Sequence, residues 1–159
     1  MRTLSQQLAM YAAYHRHRAN VATHLVGIPL IVIAVTVLLS RPGWSLSVIV
    51  VSPALIAVVA VLAYYFLLDV GLALVMAFLL ALSLWFGAWC AAQSTLTWLS
   101  IGVGAFVIGW ALQLVGHAFE GRKPAFLDDI MGLLIGPLFV VVEMLSFAGV
   151  RKNPGKVQE

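Results

Sequence analysis

Charge is what this chain has least of. Only 9% of its 159 residues are Asp, Glu, Lys or Arg, where an ordinary soluble domain carries roughly 25%. With 63% of the residues hydrophobic, a water-soluble domain of this length could not hide its apolar surface, so lipid is the expected solvent. Cysteine is nearly missing: Cys90 stands alone, which excludes an intrachain disulfide. The nine Lys and Arg sit near the ends of apolar segments and form no stripe suited to nucleic acid. A cleaved signal peptide is not expected, because the polar leader is too long and no small-x-small site follows the first apolar run. No internal repeat, low-complexity tract or second domain stands out, and 1–159 reads as a single membrane domain.

A helix needs about 20 apolar residues to cross the hydrocarbon. Segments of that kind fall at about 22–39, 46–67, 71–92 and 97–117. The expected fold is therefore all-α, a polytopic membrane bundle of four spanning helices. Ser40-Arg41-Pro42-Gly43 reads as a turn, Asp69 as a tight connection, and Gln93-Ser94-Thr95 as a short polar link. Leu4, Leu8, Tyr11 and His15 recur at helical spacing, so residues 3–17 read as an amphipathic helix lying on the membrane. Asn20 is placed to cap the first spanning helix.

A fifth apolar segment, at about 130–149, is expected to be bent or only partly inserted. Gly136-Pro137 offers a break, and Glu143 makes a simple lipid-facing span costly. The basic residues agree. Full insertion would put Arg151, Lys152 and Lys156 outside with Arg41, whereas partial insertion keeps all but Arg41 on the cytoplasmic face. Short loops and an Ala/Val/Leu-rich style suggest a bacterial inner membrane.

Against this apolar background four histidines stand out. His15, His17 and His24 flank the start of the first span, and His117 closes the fourth, so four crossings bring all of them to the cytoplasmic side. Imidazole is the commonest protein metal ligand. His15 and His24 are nine apart and would face opposite ways on one unbroken helix; for both to reach one ion the helix must break near residues 17–20. Gln113, His117 and Glu120 share one helical face. Nitrogen ligands suit iron, zinc, copper or nickel alike, and Glu120 or Asp128 could complete the shell or orient a ligand.

Plainer roles compete at each position. Interfacial histidines commonly contact headgroups, and Arg16 and Arg18 beside His17 point that stretch at lipid phosphate. Gln113 could bond a neighbouring helix. Glu120 could pair with Arg122 and Lys123. Trp44, Trp98 and Trp110 read as interfacial anchors.

Tyr14-His15, Asn20 and His24 followed by Gly27-Ile28-Pro29, together with Gly116-His117, Phe119-Glu120, Pro124-Ala125 and Leu127-Asp128, resemble the two signatures of the Mpo1-like family of membrane proteins. The two blocks lie at the ends of the chain, with apolar filler between them. The resemblance implies an Fe(II)-dependent dioxygenase that uses O2 to shorten 2-hydroxy fatty acids by one carbon, a step of α-oxidation, without 2-oxoglutarate. It implies His15, His24 and His117 as iron ligands and marks Asn20, Glu120 and Asp128 as candidate catalytic residues. His17 matches no signature position. Arg18, Arg122 and Lys123 are candidates to attract the substrate carboxylate. Two alternatives stand beside this reading. One is a b-type haem protein with axial His24 and His117, although no CxxCH motif is present. The other is a non-catalytic scaffold or transporter, against which the spans lack mid-membrane polar groups.

Overall fold

A computed structural model describes residues 2–46, 49–121 and 131–150. Among the described residues six α-helices follow one another: α1 (Leu4–Ala13), α2 (Arg18–Leu38), α3 (Pro53–Leu68), α4 (Val70–Ala91), α5 (Thr95–Glu120) and α6 (Met131–Phe147). Between α2 and α3 lies a two-stranded antiparallel hairpin, β1 (Trp44–Leu46) and β2 (Ile49–Val51), with Trp44 opposite Val51. Three of these described helices, α2, α4 and α5, are long and apolar enough to cross a membrane. Large apolar side chains such as Phe78, Trp85 and Leu96 point outward from α4 and α5, as expected where the surrounding solvent is lipid.

The second apolar segment departs from the expected 46–67 span. Helix starts only at Pro53, a residue suited to the first helical turn, and Ser52 caps it by accepting the Leu55 N–H at 3.3 Å. The β-branched run before it pairs as β2 instead of lengthening the helix. What remains is α3, whose 16 residues reach about 24 Å, short of the roughly 30 Å hydrocarbon core. Asp69 makes the tight connection its position suggests. It ends α3 and caps α4, accepting the Leu72 N–H at 2.8 Å.

The chain divides into two compact units, 30–109 and the remainder, 1–29 with 110–159. In the first, α2 and α5 are tied by the Trp98 indole N–H, which donates to the Val37 carbonyl at 2.7 Å. Arg41 caps the carbonyl end of α4, donating to Ala91 and Gln93, with its guanidinium 4.9 Å from the Trp98 ring centroid.

In the second unit α6 is the core. Eight of its residues, Ile135, Gly136 and Leu138 to Glu143, are buried. The helix runs unbroken through Gly136-Pro137 where a break is expected, and at 17 residues it is again short for a crossing. The α1 helix is shorter than 3–17 and opens with a capping box, in which Thr3 and Gln6 satisfy each other's backbone N–H. Its stripe of Leu4, Leu8 and Tyr11 is buried, and α1 packs on α6. The amphipathic pattern expected to face lipid is thus used to cover protein.

Candidate metal centre

The break that His15 and His24 require lies between α1 and α2, at residues 14–17, slightly earlier than expected. Tyr14 ends α1, and the chain turns before Arg18 starts α2. The turn folds His15 over His24, with ring centroids 4.3 Å apart. His117, arriving from α5, lies 4.9 Å from His24 and 5.2 Å from His15. All three imidazoles are buried, and each offers a ring nitrogen within 4.8 Å of the other two.

Hydrogen bonds fix which nitrogens face inward. His15 Nδ1–H donates to the Tyr11 carbonyl at 2.7 Å, one of the last acceptors of α1. His24 Nδ1–H donates to the Asn20 carbonyl at 2.8 Å. A carbonyl only accepts, so both rings carry their proton on Nδ1 and, when neutral, expose a lone pair on Nε2. A backbone carbonyl in this place is a common means of fixing the tautomer of a metal-binding histidine. His15 Nε2 and His117 Nδ1 are enclosed and have no hydrogen-bond partner among the described residues. Buried polar atoms left in that state are costly, and a divalent metal is a group that would satisfy several at once. The donor set therefore fits a metal ion.

Apolar surroundings hold His15 uncharged. The Tyr11 ring stacks on it at 4.2 Å and 8°, and Phe139 lies 5.6 Å away. Burial pushes its pKa from 6.5 down to about 4, against the raising effect of the Tyr11 carbonyl and with a further lowering from His117. The Tyr11 hydroxyl is pushed up by the same burial.

Glu120 and Asn20 sit beside the cluster and hold the turn. The Glu120 carboxylate accepts the N–H groups of Arg16 (3.1 Å to each oxygen) and His17 (2.8 Å), and the Asn20 Nδ2–H at 3.0 Å. It thus closes the N-terminus of α2 with a negative group, the electrostatically favoured arrangement there. Gly121, at φ +66, ends α5 just beyond it. Asn20 lies inside the first turn of α2 and does not cap it; its amide donates to the Tyr14 carbonyl at 3.2 Å as well as to Glu120. The capping contact comes from His17, whose Nδ1 accepts the Ala19 N–H at 3.2 Å. His17 is exposed, stacks on Phe119, and lies outside the cluster of three. Asp128, Arg122 and Lys123 lie outside the described residues.

Two contributors had no role at the site read for them in the sequence: Tyr11, outside the signatures, and Gly116, within one. Tyr11 supplies both the carbonyl and the stacking ring, and its spacing of four from His15 was the available signal. Gly116 permits close approach: a Cβ there would collide with Thr23 Oγ1 and Asn20 Oδ1 and come within 3.2 Å of His24 Nδ1.

The family model described as "2-hydroxy-palmitic acid dioxygenase Mpo1-like" matches residues 1–148. The 2-hydroxy-palmitic acid dioxygenase MPO1 of Saccharomyces cerevisiae is 34% identical over 150 residues, covering 92% of this chain and 82% of that protein. No solved structure matches. With a match that runs from the first residue through α6 and takes in all three clustered histidines, the chain belongs to the Mpo1-like family.

Proposed function

We propose that this protein is a non-haem iron dioxygenase that shortens 2-hydroxy fatty acids by one carbon, with Fe(II) held by His15, His24 and His117. The observation that carries the reading is the buried trio itself, with ligand atoms within 4.8 Å of one another. The yeast relative's name supplies the substrate class and reaction type. A bound Fe(II) would supply the redox chemistry between the 2-hydroxy acid and O2. The overall balance, 2-hydroxy acid plus O2 to the shorter acid, CO2 and water, calls for no further reductant.

The protein's own part is positioning and exclusion. His15 and His24 present Nε2 lone pairs without a rearrangement, because their Nδ1–H groups are already committed. Tyr11 and Phe139 wall His15 from water. Asn20 and Glu120 act by holding the turn. A haem between His24 and His117 is disfavoured, since His15 lies within 5.2 Å of both rings, where the macrocycle would pass.

Chain connectivity supports four crossings. His24 near the start of α2 and His117 near the end of α5 are neighbours, so an even number of crossings separates them and α3 must cross despite its length. The basic residues Arg2, Arg16 and Arg18 then favour a cytoplasmic site. Single cysteines introduced at Arg16 and Ser94 should label from opposite faces; labelling from the same face would refute this topology.

The functional test uses purified protein reconstituted with Fe(II) and given 2-hydroxypalmitate with and without O2. An acid one carbon shorter should form only with both iron and O2. Substituting His15, His24 or His117 by Ala should remove iron and turnover together, while iron retained in all three variants would overturn the assignment.

A further inference from the structure

Gln113 is, among the described residues, a buried polar residue whose amide its environment leaves unexplained. It lies on α5 one turn before His117, on the same helical face, and both side chains are 6% exposed. Helical side chains lean toward the N-terminus, so the His117 ring extends back over the turn that holds Gln113. The sequence offers a plain role, a hydrogen bond to a neighbouring helix. The structure does not supply it: Gln113 Nε2 is enclosed and has no hydrogen-bond partner among the described residues. A buried amide N–H group left in this state costs about 1–3 kcal/mol. It is retained next to a trio of imidazoles that also holds enclosed, unpartnered nitrogens.

The chemistry of the missing partner follows from the atom. An amide N–H only donates, so its partner must accept. The enclosed orphan His117 Nδ1, one turn on along the same helical face, belongs to a ring proposed to serve the metal. Among the other acceptors near the cluster, Asn20 Oδ1 is enclosed and, like Gln113 Nε2, forms no hydrogen bond among the described residues, while the remaining ones are committed. The Asn20 carbonyl receives His24, the Tyr11 carbonyl receives His15, and the Glu120 oxygens receive the α1–α2 turn. A carboxylate oxygen is an acceptor with no proton of its own, and the proposed substrate brings two of them to the imidazoles.

We infer that Gln113 is a substrate-contacting residue, its amide N–H donating to a carboxylate oxygen of the 2-hydroxy acid bound at the histidine cluster. This rests on the functional reading above and goes beyond it by naming the group that recognises the acid head. Such a residue separates acids from neutral lipids of the same length, because only the acid satisfies the buried donor.

Binding measurements test this without turnover. Full-length protein in nanodiscs, loaded with Fe(II) and kept under nitrogen, is titrated with 2-hydroxypalmitate and with hexadecane-1,2-diol, which keeps the 2-hydroxyl and the tail but lacks the carboxylate. In Gln113→Met, which keeps volume and removes the donor, affinity for the acid should fall at least about tenfold, the loss expected for a hydrogen bond to a charged group. Affinity for the diol and iron content should stay unchanged. Gln113→Glu, which puts an acceptor against an acceptor, should lose at least as much affinity for the acid and again keep iron. The inference is overturned if Gln113→Met binds the acid as wild type does, which would leave the amide to an ordered water only. It is also overturned if acid and diol weaken equally, which would mark a packing role. Should wild-type protein fail to bind iron or the acid, the functional reading falls and this inference with it; failure in the variants' selectivity alone leaves that reading standing.

Discussion

Replacing Glu120 by Ala separates holding a ligand from being one. The carboxylate receives the Arg16 and His17 amides and the Asn20 side chain, 103 and 100 positions away for the two closest of these bonds. Arg16 and His17 are exposed, so water takes over their N–H groups and each bond is worth about 0.5 kcal/mol. Asn20 is fully buried and loses one of its two acceptors, at a cost of about 1–2 kcal/mol. The sum, roughly 2–3 kcal/mol, falls on the short turn that carries His15. It should therefore appear as weaker metal binding, by about tenfold to a hundredfold, the range typical for groups that orient a ligand. Competition with a chromophoric chelator for Fe(II) and Co(II) measures it. Glu120→Gln, which keeps one accepting oxygen, should lie between Ala and wild type. The Glu120→Ala, Asn20→Ala pair should lose less than the sum of its single changes, because both belong to one clamp. Affinity within twofold of wild type in Glu120→Ala would refute the reasoning, as would complete loss of metal equal to that of His15→Ala.

Gly116→Ala should destabilise by about 1–3 kcal/mol and weaken metal binding, since its Cβ would press on Asn20, Thr23 and His24. Gly104→Ala on the same helix meets nothing within 4 Å and should be neutral or slightly stabilising; thermal unfolding of the two variants checks the contrast. Acid should destabilise the metal-free protein in a defined window. The His15 value is depressed on folding, so its stabilising contribution is intact above about pH 6.5 and is lost progressively as pH falls to about 4, amounting to roughly 3 kcal/mol. A scan of unfolding temperature against pH should show this limb, and His15→Phe, which keeps an aromatic ring against Tyr11, should flatten it; an unchanged limb would refute the assignment to His15.

Much of the site was legible because helical geometry is strict. His15 and His24, nine positions apart, required a break if both were to reach one ion, and a break is present. Asp69 marked a helix junction through its short side chain and caps α4 there. Other features were hidden for physical reasons. Apolar β-branched residues before Ser52 read as membrane helix, because a short hydrophobic run has no periodicity to tell strand from helix. The Leu4–Leu8–Tyr11 stripe shows one apolar face without showing that protein, in the form of α6, covers it. Glu120 stands beside Arg122 and Lys123 in the chain, yet its observed partners come from the far end of the sequence. Proximity in space across a hundred residues leaves no local trace. Nor does a missing partner, which is why Gln113 reads as ordinary until its surroundings are known.

The turn that carries His15 also bears on how the protein is made. Two of the three imidazoles belong to the first 24 residues, while the third arrives roughly 90 residues later. At about 5–20 residues per second of synthesis, the early pair waits roughly 5–20 s for its companion, already threaded towards the bilayer. Two imidazoles without the third make a poor trap, and the carboxylate that fastens the turn is translated three positions after His117. On the proposed function, metal capture waits until α5 has been delivered, and a chain that stops short of His117 lacks the third ligand.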